Sequence, residues 1–255
     1  MPYPTFARAA LGAVFVLLLQ LAPVQAQPFQ YVATTGSDAG ACGAVTAPCR
    51  TFQRVHDLVG PGFAIVALDS GDFNAVTITK SIAILARGVA ATGWSGANTK
   101  ITINAGASDV IYLDGLNLGR DAPVAENSGI ELNSGGRLHV RNCTIRNFGT
   151  AGIYIAPGGS KRVFVSDCTI ADNWHGIWAR GNTEVFLDRV AIEGNLRDGV
   201  RSHGSGVRVR ISNSTINDNR TGLNSVNGGK LLSFGNNAIH GNQTNGAPTA
   251  TVALK

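Results

Sequence analysis

Apolar residues return along the second half of the chain at a nearly fixed period. A glycine followed by an aliphatic residue occurs at spacings of 23 or 24 residues, at Gly129, Gly152, Gly176, Gly199 and Gly222. Within each unit, apolar residues alternate with polar or aromatic ones before a closing isoleucine. Because alternation with period two marks a strand that buries one face, each unit predicts short strands separated by turns.

Aligning the units on their closing isoleucines produces columns of matching residues. The closing residues are Ile145, Ile170, Ile192, Ile216 and Ile239. Seven positions earlier lie Leu138, Val163, Val185, Val209 and Leu232, and five positions earlier lie Val140, Val165, Leu187, Ile211 and Phe234. The residues between these two columns are expected to face outward: His139, Phe164, Phe186, Arg210 and Ser233.

A unit of this length cannot bury its apolar face alone, but units stacked at about 4.8 Å build a continuous core. Leucine-rich repeats have a similar length, yet they need a helical return, and no unit has a helical period. The sequence therefore predicts an all-β parallel β-helix of about seven coils. Earlier coils are predicted through Ile111, Leu113, Leu116 and Leu118, and through Val76, Ile78, Ile82 and Ile84.

Four segments follow from this pattern. Residues 1–26 read as a secretory signal peptide, with Arg8, an apolar run and a small-residue cleavage site. Residues 27–75 read as an N-terminal cap that contains a short helix over residues 51–59, because an open solenoid end exposes apolar core. Residues 76–246 form the predicted β-helix, and residues 247–255 a C-terminal tail. The mature protein is expected to be periplasmic or extracellular, with no membrane span once the signal is removed.

Export changes how the four cysteines are interpreted, since disulfides persist in oxidising compartments. Cys42 and Cys49 flank a short Gly- and Ala-rich loop, and we expect them to be bonded. Cys143 and Cys168 occupy one column of adjacent coils, where a disulfide and a pair of buried thiols are equally compatible with the sequence. No arrangement of residues has metal-ligand spacing, and no metal or cofactor is expected.

Asparagines recur three residues after the closing isoleucines, at Asn173, Asn195, Asn219 and Asn242. Their amides are expected to hydrogen-bond from coil to coil at a tight bend. Metal ligation and glycosylation are the alternatives, the latter because Asn219 and Asn242 stand in Asn-x-Thr acceptor patterns.

Several segments together resemble a known family: YVATTGSDAG near the start, APCRTFQ, VTITKSIAI, and the repeated GI…CTI…N coils. They are similar to right-handed parallel β-helix proteins of the pectin-lyase-like superfamily, in particular to small exported bacterial members. The resemblance implies a right-handed coil and a role with polysaccharides. It does not supply a catalytic set, because the chain has no adjacent Asp-Asp pair, no Gly-His-Gly and no Asp-Pro-His-Asp run. Asp172 and Asp218 lie too far apart for a calcium cage.

The outward residues of the glycine-led strands form the candidate site. Tyr154, Trp178, Arg180, Arg201 and His203 are predicted to lie in one patch, with His175 and Asp198 at its rim. Flat rings cover the CH groups of a sugar, and guanidinium groups pair with carboxylates. The formal charge of +5, or +4 without the leader, also favours an anionic partner.

Two functions remain open from the sequence. In the first, the protein binds an acidic polysaccharide or a cell-surface glycan through this patch, without catalysis. In the second, it is a small polysaccharide lyase or glycoside hydrolase with an unfamiliar site, in which His203 or His175 acts as the base and Asp198 orients His175. The absence of paired carboxylates favours binding. No nucleic acid is expected as a partner.

Overall fold

The computed structural model describes residues 28–92, 101–119 and 127–253, so the predicted signal peptide lies outside the described residues. Within these ranges the chain winds as a parallel β-solenoid whose successive strands pair in parallel with those of the next coil. Six complete turns contain three strands each, and a shorter turn precedes them. The predicted β-helix is therefore confirmed. No helix in the described ranges is long and apolar enough to cross a membrane.

The largest sheet has ten strands. It contains the residues that lie seven and five positions before the closing isoleucines. Leu138, Val163, Val185 and Val209 are register partners and fully buried, as the alternation predicts. In sheet order the strands are β1 (Phe29–Val32), β2 (Phe63–Ala67), β5 (Ile82–Leu85), β8 (Val110–Asp114), β11 (Arg137–Arg141), β14 (Ser160–Ser166), β17 (Asn182–Asp188), β20 (Val207–Ser212), β23 (Lys230–Ser233) and β25 (Ala250–Thr251).

A seven-stranded sheet is formed by the glycine-led strands. Its members are β4 (Val76–Ile78), β7 (Ile101–Asn104), β10 (Ser128–Ser134), β13 (Ala151–Ile155), β16 (His175–Arg180), β19 (Asp198–His203) and β22 (Thr221–Val226). The recurring glycine is required by close packing. A Cβ at Gly176 would lie 2.5 Å from the carbonyl oxygen of Gly199 and 2.6 Å from Ile192 Cγ2. Any side chain there would push the coils apart.

A six-stranded sheet closes each turn, and a small two-stranded sheet lies near the N-terminal end. The six strands are β9 (Asn117–Leu118), β12 (Thr144–Arg146), β15 (Thr169–Ala171), β18 (Ala191–Glu193), β21 (Thr215–Asn217) and β24 (Ala238–Ile239). The two-stranded sheet pairs β3 (Gly71–Asp72) with β6 (Ala91–Thr92).

The asparagine ladder is confirmed at the bend that follows the six-stranded sheet. The Nδ2 atoms of Asn173, Asn195 and Asn219 each donate to the Oδ1 of the next asparagine, at 3.1, 2.8 and 2.9 Å. The same amides donate to backbone carbonyls, and the first three side chains are buried. Because Asn219 is enclosed and its amide is committed, the folded protein does not present it for glycosylation.

The N-terminal region contains the single described helix, α1 (Phe52–Leu58), and the disulfide. Thr51 Oγ1 accepts from Arg54 N at 3.1 Å and so caps the helix. Cys42 and Cys49 are bonded with a Cα–Cα distance of 5.0 Å, as expected, whereas Cys143 and Cys168 are buried free thiols. The boundary of the cap at residue 75 stays a prediction, and β1 and β2 continue the ten-stranded sheet in front of it.

The last coil corrects the predicted columns. Val209 pairs with Leu231 and Ile211 with Ser233, so Leu232 faces outward and Ser233, only 6% exposed, faces inward. Leu232 and Phe234 were thus wrongly placed in the core columns, and Ser233 wrongly on the outer face. The turn before Ile239 contains one residue more than the equivalent turns, which shifts every side chain to the opposite face when positions are counted back from the isoleucine.

Candidate functional site

The predicted outward column on the seven-stranded sheet is confirmed by the strand register. Glu131, Tyr154, Trp178, Arg201 and Asn224 are successive partners on five neighbouring strands. One column over, Arg180 pairs with His203. The side chains of the patch (Tyr154, Trp178, Arg180, Arg201 and His203) are half-buried, so they form a firm surface that still reaches solvent.

Trp178 is the centre of this patch. Its ring meets the ring of Tyr154 edge-on at 5.3 Å between centroids and that of His175 at 5.0 Å. The guanidinium carbons of Arg180 and Arg201 lie 5.6 and 5.3 Å from the indole centroid, within the range of cation–π attraction. Arg180 also donates from Nη1 to Tyr154 Oη at 3.2 Å. The aromatic rings and the cations therefore hold one another in place.

Asp198 lies beneath the patch and anchors it. Its carboxylate accepts from Arg201 Nη1 at 3.0 Å and from Asn224 Nδ2 at 3.0 Å, and it lies 3.3 Å from His175 Nδ1. Burial alone raises the pKa of Asp198, but the hydrogen bonds with His175 and Asn224, the charge of His175 and the bond from Arg201 together lower it below its usual value. The carboxylate stays ionised and neutralises one of the two arginines over Trp178.

His175 and Asp198 were expected at the rim, and the structure places them underneath. They are only 3% and 4% exposed. The predicted contact between them is present, yet a polymer on the surface does not reach His175. Each of the two is the first residue of its strand; the ring of His175 packs against Trp178, and the carboxylate of Asp198 is covered by Arg201.

His203 sits at the edge of the patch, apart from this pair. Its Nε2 lies 2.9 Å from Asn227 Nδ2. Burial, followed by the nearby charges of Arg180 and Arg201, lowers the pKa of His203. The imidazole is therefore neutral at pH 7, and it protonates only when the medium becomes more acidic than an ordinary histidine requires.

Three polar atoms of the patch lack a hydrogen-bond partner in the described part of the chain. They are Trp178 Nε1, Arg201 Nε and His203 Nδ1. A buried polar atom left unpaired costs about 1–3 kcal/mol, so native proteins leave few of them. These three atoms lie on neighbouring residues of the patch, and four further such atoms lie elsewhere in the described residues, on Arg54, Asn117, Arg210 and Asn217.

The turn beside the patch adds an apolar ridge that was not part of the predicted site. Trp174 is 40% exposed and stacks under Arg197, whose guanidinium carbon lies 5.1 Å from the ring centroid. Leu196, on the next coil, is also exposed. Because Trp174 precedes His175 directly, this aromatic–cation pair extends the surface around Trp178 sideways. The sequence signal for this pair was the aromatic residue Trp174 directly after the asparagine of the bend.

The ten-stranded sheet carries a second outward surface, on which rings stack regularly. Tyr112, His139, Phe164 and Phe186 follow one another with centroid distances of 4.5, 4.7 and 4.9 Å and interplanar angles of 12°, 8° and 7°. The outward column through His139, Phe164 and Phe186 is thereby confirmed. Arg210 closes the series over Phe186 at 5.0 Å. We call this series the aromatic ladder.

A basic groove runs beside the aromatic ladder and was not predicted as a site. It has a volume of about 650 Å³ and is lined by Arg137, Lys161, Arg162, Glu184 and Arg208, among others. Glu184 lies 3.5 Å from its register partner Arg162 and, at the same distance, from Arg210 on the diagonal. The strand register accounts for the row of charged residues that line the groove. The depth of the groove depends on the turns between strands, which the alternation of apolar and polar residues does not predict.

The described residues offer little for metal binding. Their one cluster of three close potential ligands is Asp38 with Cys42 and Cys49, and the two cysteines are consumed by the disulfide. Asp172 and Asp218 lie on turns separated by the coil that carries Gly194.

Fold and surface together define the class of protein: a right-handed parallel β-solenoid with an aromatic and basic outer patch. The chain belongs to the right-handed beta helix region family, whose model matches residues 120–251. Among solved structures it is similar to pectate lyase Pel9A, at 15% identity over 91% of this chain and 77% of that chain, with a TM-score of 0.55. A rhamnogalacturonan lyase aligns at 12% identity over 81% and 75% of the two chains, with a TM-score of 0.38.

No curated protein sequence matches the chain. At 15% identity the likeness to pectate lyase Pel9A shows a shared fold and transfers no activity.

Proposed function

We propose that this protein binds an acidic polysaccharide or a cell-surface glycan through the patch centred on Trp178. The observation that carries the proposal is the indole of Trp178 held between Arg180 and Arg201, with Tyr154 at its edge. Aromatic rings pack on the CH faces of sugar rings, and guanidinium groups pair with sugar carboxylates. Arg180 is the cation of the pair that has no carboxylate partner among the described residues, so it is the one left to meet a uronate.

The surroundings support an exported binding protein. The disulfide between Cys42 and Cys49 suits an oxidising compartment. The formal charge of +5 favours encounter with polyanions. A pectate lyase has the same fold, which raises the expectation of an acidic glycan without fixing it.

The enzymatic alternative rests on His203 and Arg201, which lie on one strand facing the same side. A neutral imidazole next to a guanidinium is the pair of groups that elimination beside a carboxylate needs. Against it, Asp198 and His175 are buried and hold the patch together, so they are not available to a substrate. Binding is therefore the function that the geometry supports best.

The test is an affinity measurement on the mature protein, with polygalacturonate, alginate and neutral dextran compared by calorimetry, while absorbance of unsaturated sugar ends is followed in parallel. Arg180→Gln and Trp178→Leu should each weaken polyuronate binding about tenfold or more, since each removes a contact worth about 1.5 kcal/mol. Arg208→Gln is the matched control, because it removes an exposed arginine from the other sheet.

Each outcome decides between the alternatives. If Arg208→Gln lost polyuronate affinity and Arg180→Gln kept it, the binding site would lie in the basic groove, and the proposal that the patch binds the glycan would be wrong. If dextran and polyuronate bound equally well, the arginines would not contribute by pairing with sugar carboxylates. Release of unsaturated ends that is abolished by His203→Gln would replace the binding function with the lyase.

A further inference from the structure

The aromatic ladder ends abruptly at Tyr112. The register partner of Tyr112 on the preceding coil is Ala83, and the partner of Ala83 before that is Ala64. The three rings above Tyr112 repeat at 4.5–4.9 Å, close to the spacing of the strands themselves. Since two alanines replace the next two rings, one face of the Tyr112 ring is left without an aromatic neighbour from the sheet, and Tyr112 is 40% exposed.

A slot lies beside Tyr112 and His139, next to the position where the following ring of the ladder would stand; Ala83, at that position, is only 3% exposed. The volume of the slot is about 260 Å³, and Ala83, Leu85, Tyr112 and His139 line it together with charged residues at its mouth. An apolar cavity of roughly 150 Å³ already accepts a benzene molecule. The slot is therefore large enough for one substituted aromatic ring and too small for a chain of sugar rings.

The charges at the mouth of the slot are unequal. Arg87 donates from Nε to Asp114 Oδ2 at 2.8 Å, and Asn142 donates to Asp114 Oδ1 at 2.8 Å, so Asp114 and Arg87 neutralise each other. Arg141 lies one coil above Asp114 in register, is exposed, and makes no ion pair with any described residue. Burial, together with Arg137 and Arg141, lowers the pKa of His139 and keeps this ring neutral. Arg141 acts electrostatically on Asp114 and Asp167, whose pKa values it helps to lower, but it is the cation at the mouth without a carboxylate in hydrogen-bond contact among the described residues.

From these observations we infer that the slot is a second binding site, separate from the glycan patch, for a small planar aromatic carboxylate. The ring of the ligand stacks on Tyr112 in the slot and packs against Leu85. Its carboxylate pairs with Arg141 at the mouth. Stacking requires a flat ring and the arginine requires an anion, so the two features together define the class of ligand.

The experiment titrates the mature protein with three probes of similar size, followed by calorimetry and by ligand NMR. They are 4-hydroxybenzoate, which is flat and anionic; 4-hydroxybenzyl alcohol, which is flat and neutral; and cyclohexanecarboxylate, which is anionic and not flat. For a ligand of about ten heavy atoms, a Kd on the order of 1 mM or tighter is expected for 4-hydroxybenzoate. The other two probes should bind about tenfold more weakly.

Two matched pairs of variants locate the site. Tyr112→Leu removes the ring at the slot, and Phe186→Leu removes the ring at the opposite end of the ladder. Arg141→Gln removes the exposed positive charge at the mouth of the slot, and Arg208→Gln removes an exposed arginine elsewhere on the same sheet. Tyr112→Leu and Arg141→Gln should each weaken 4-hydroxybenzoate binding about tenfold, whereas the two control variants should bind as the wild type does.

All four positions are at least partly exposed, so the variants are expected to fold, and circular dichroism verifies this. The inference is overturned if 4-hydroxybenzoate does not bind at millimolar concentration, or if cyclohexanecarboxylate binds equally well. It is also overturned if Phe186→Leu or Arg208→Gln loses as much affinity as its partner. Arg141→Gln changes only an exposed side chain, so that comparison stands even if Tyr112→Leu unfolds.

Discussion

On the ten-stranded sheet, aromatic side chains of successive coils stack within 12° of parallel, whereas on the seven-stranded sheet they meet at steep angles. Phe164 has a ring on each side at 4.7 and 4.9 Å. Trp178 instead meets Tyr154 at 65° and His175 at 53°, with a guanidinium group near its ring from two sides. The same strand spacing therefore supports two different arrangements of rings.

The two arrangements differ in how many of the contacts of each ring are made within the protein. Inside the ladder the ring faces are used by neighbouring rings, so the energy of stacking contributes to folding. In the patch, polar atoms of Trp178, Arg201 and His203 stay unpaired, which costs folding energy, and at the end of the ladder the same holds for Arg210 Nη1 alone. The ladder is thus a stabilising element that ends at Tyr112, and the patch is the surface on which the proposed binding site lies.

The largest expected effect is on the ladder. Phe164→Ala removes two stacked contacts together with partly buried apolar area, and it should lower the free energy of unfolding by about 2–3 kcal/mol. Polyuronate affinity should not change. Urea unfolding measures the first quantity and calorimetry the second. Tyr154→Ala is the matched variant: it should lower the free energy of unfolding less than Phe164→Ala does, and it should weaken polyuronate binding. The reverse result would mean that the patch stabilises the fold and that the ladder binds the glycan.

Asp198 provides the next largest effect, on the stability of the patch. Asp198→Asn weakens the bond from Arg201 and should cost about 1–2 kcal/mol at pH 7. Because the folded-state pKa of Asp198 is lowered, its stabilising contribution is present above the unfolded-state value near 3.8 and is lost as pH falls through the folded-state value. The difference between wild type and variant should therefore disappear in strong acid.

Urea unfolding between pH 7 and pH 2 measures this difference. Asp218→Asn, which removes an exposed carboxylate from a turn, should stay within about 0.5 kcal/mol of the wild type. If the difference in free energy of unfolding between the wild type and Asp198→Asn stayed constant down to pH 2, the stabilising contribution of Asp198 would not depend on its ionised carboxylate.

The strand register explains why much of both faces could be predicted from the sequence. A period of 23 or 24 residues with a fixed glycine is enough to place Tyr154, Trp178 and Arg201 in one column. The exceptions arise where turns change length. One additional residue before Ile239 reversed the faces of the last coil. The depth at which His175 and Asp198 lie, and the groove beside Arg137, depend on how the chain bends, which alternation of side chains does not encode.

Histidines with a lowered pKa occur on both faces and give a smaller effect. For His139 and His203 the folded state resists protonation, so each lowers stability as pH falls below the unfolded-state value near 6.5. His139→Gln and His203→Gln should each make the free energy of unfolding less dependent on pH between 7 and 5. The slope of that free energy against pH, from urea titrations, is the measurement.

Only the histidine of the patch should also affect binding. A polyanion favours protonated His203, so polyuronate affinity should rise as pH falls from 7 to 5 in the wild type and in His139→Gln. His203→Gln should lack this rise. If His139→Gln lacked it instead, the glycan would have to lie on the ten-stranded sheet.

The smallest expected effect comes from Glu184 in the basic groove. Its pairs with Arg162 and Arg210 are long, at 3.5 Å, and partly exposed, so Glu184→Gln should change the free energy of unfolding by less than about 0.5 kcal/mol. The formal charge rises from +5 to +6, because 21 basic residues would then face 15 acidic ones. At 0.15 M salt, polyuronate affinity should be unchanged, since screening limits a distant charge to about 8 Å. A clear gain in affinity would show that the glycan contacts the groove as well as Trp178, and the division of roles between the two faces would have to be abandoned.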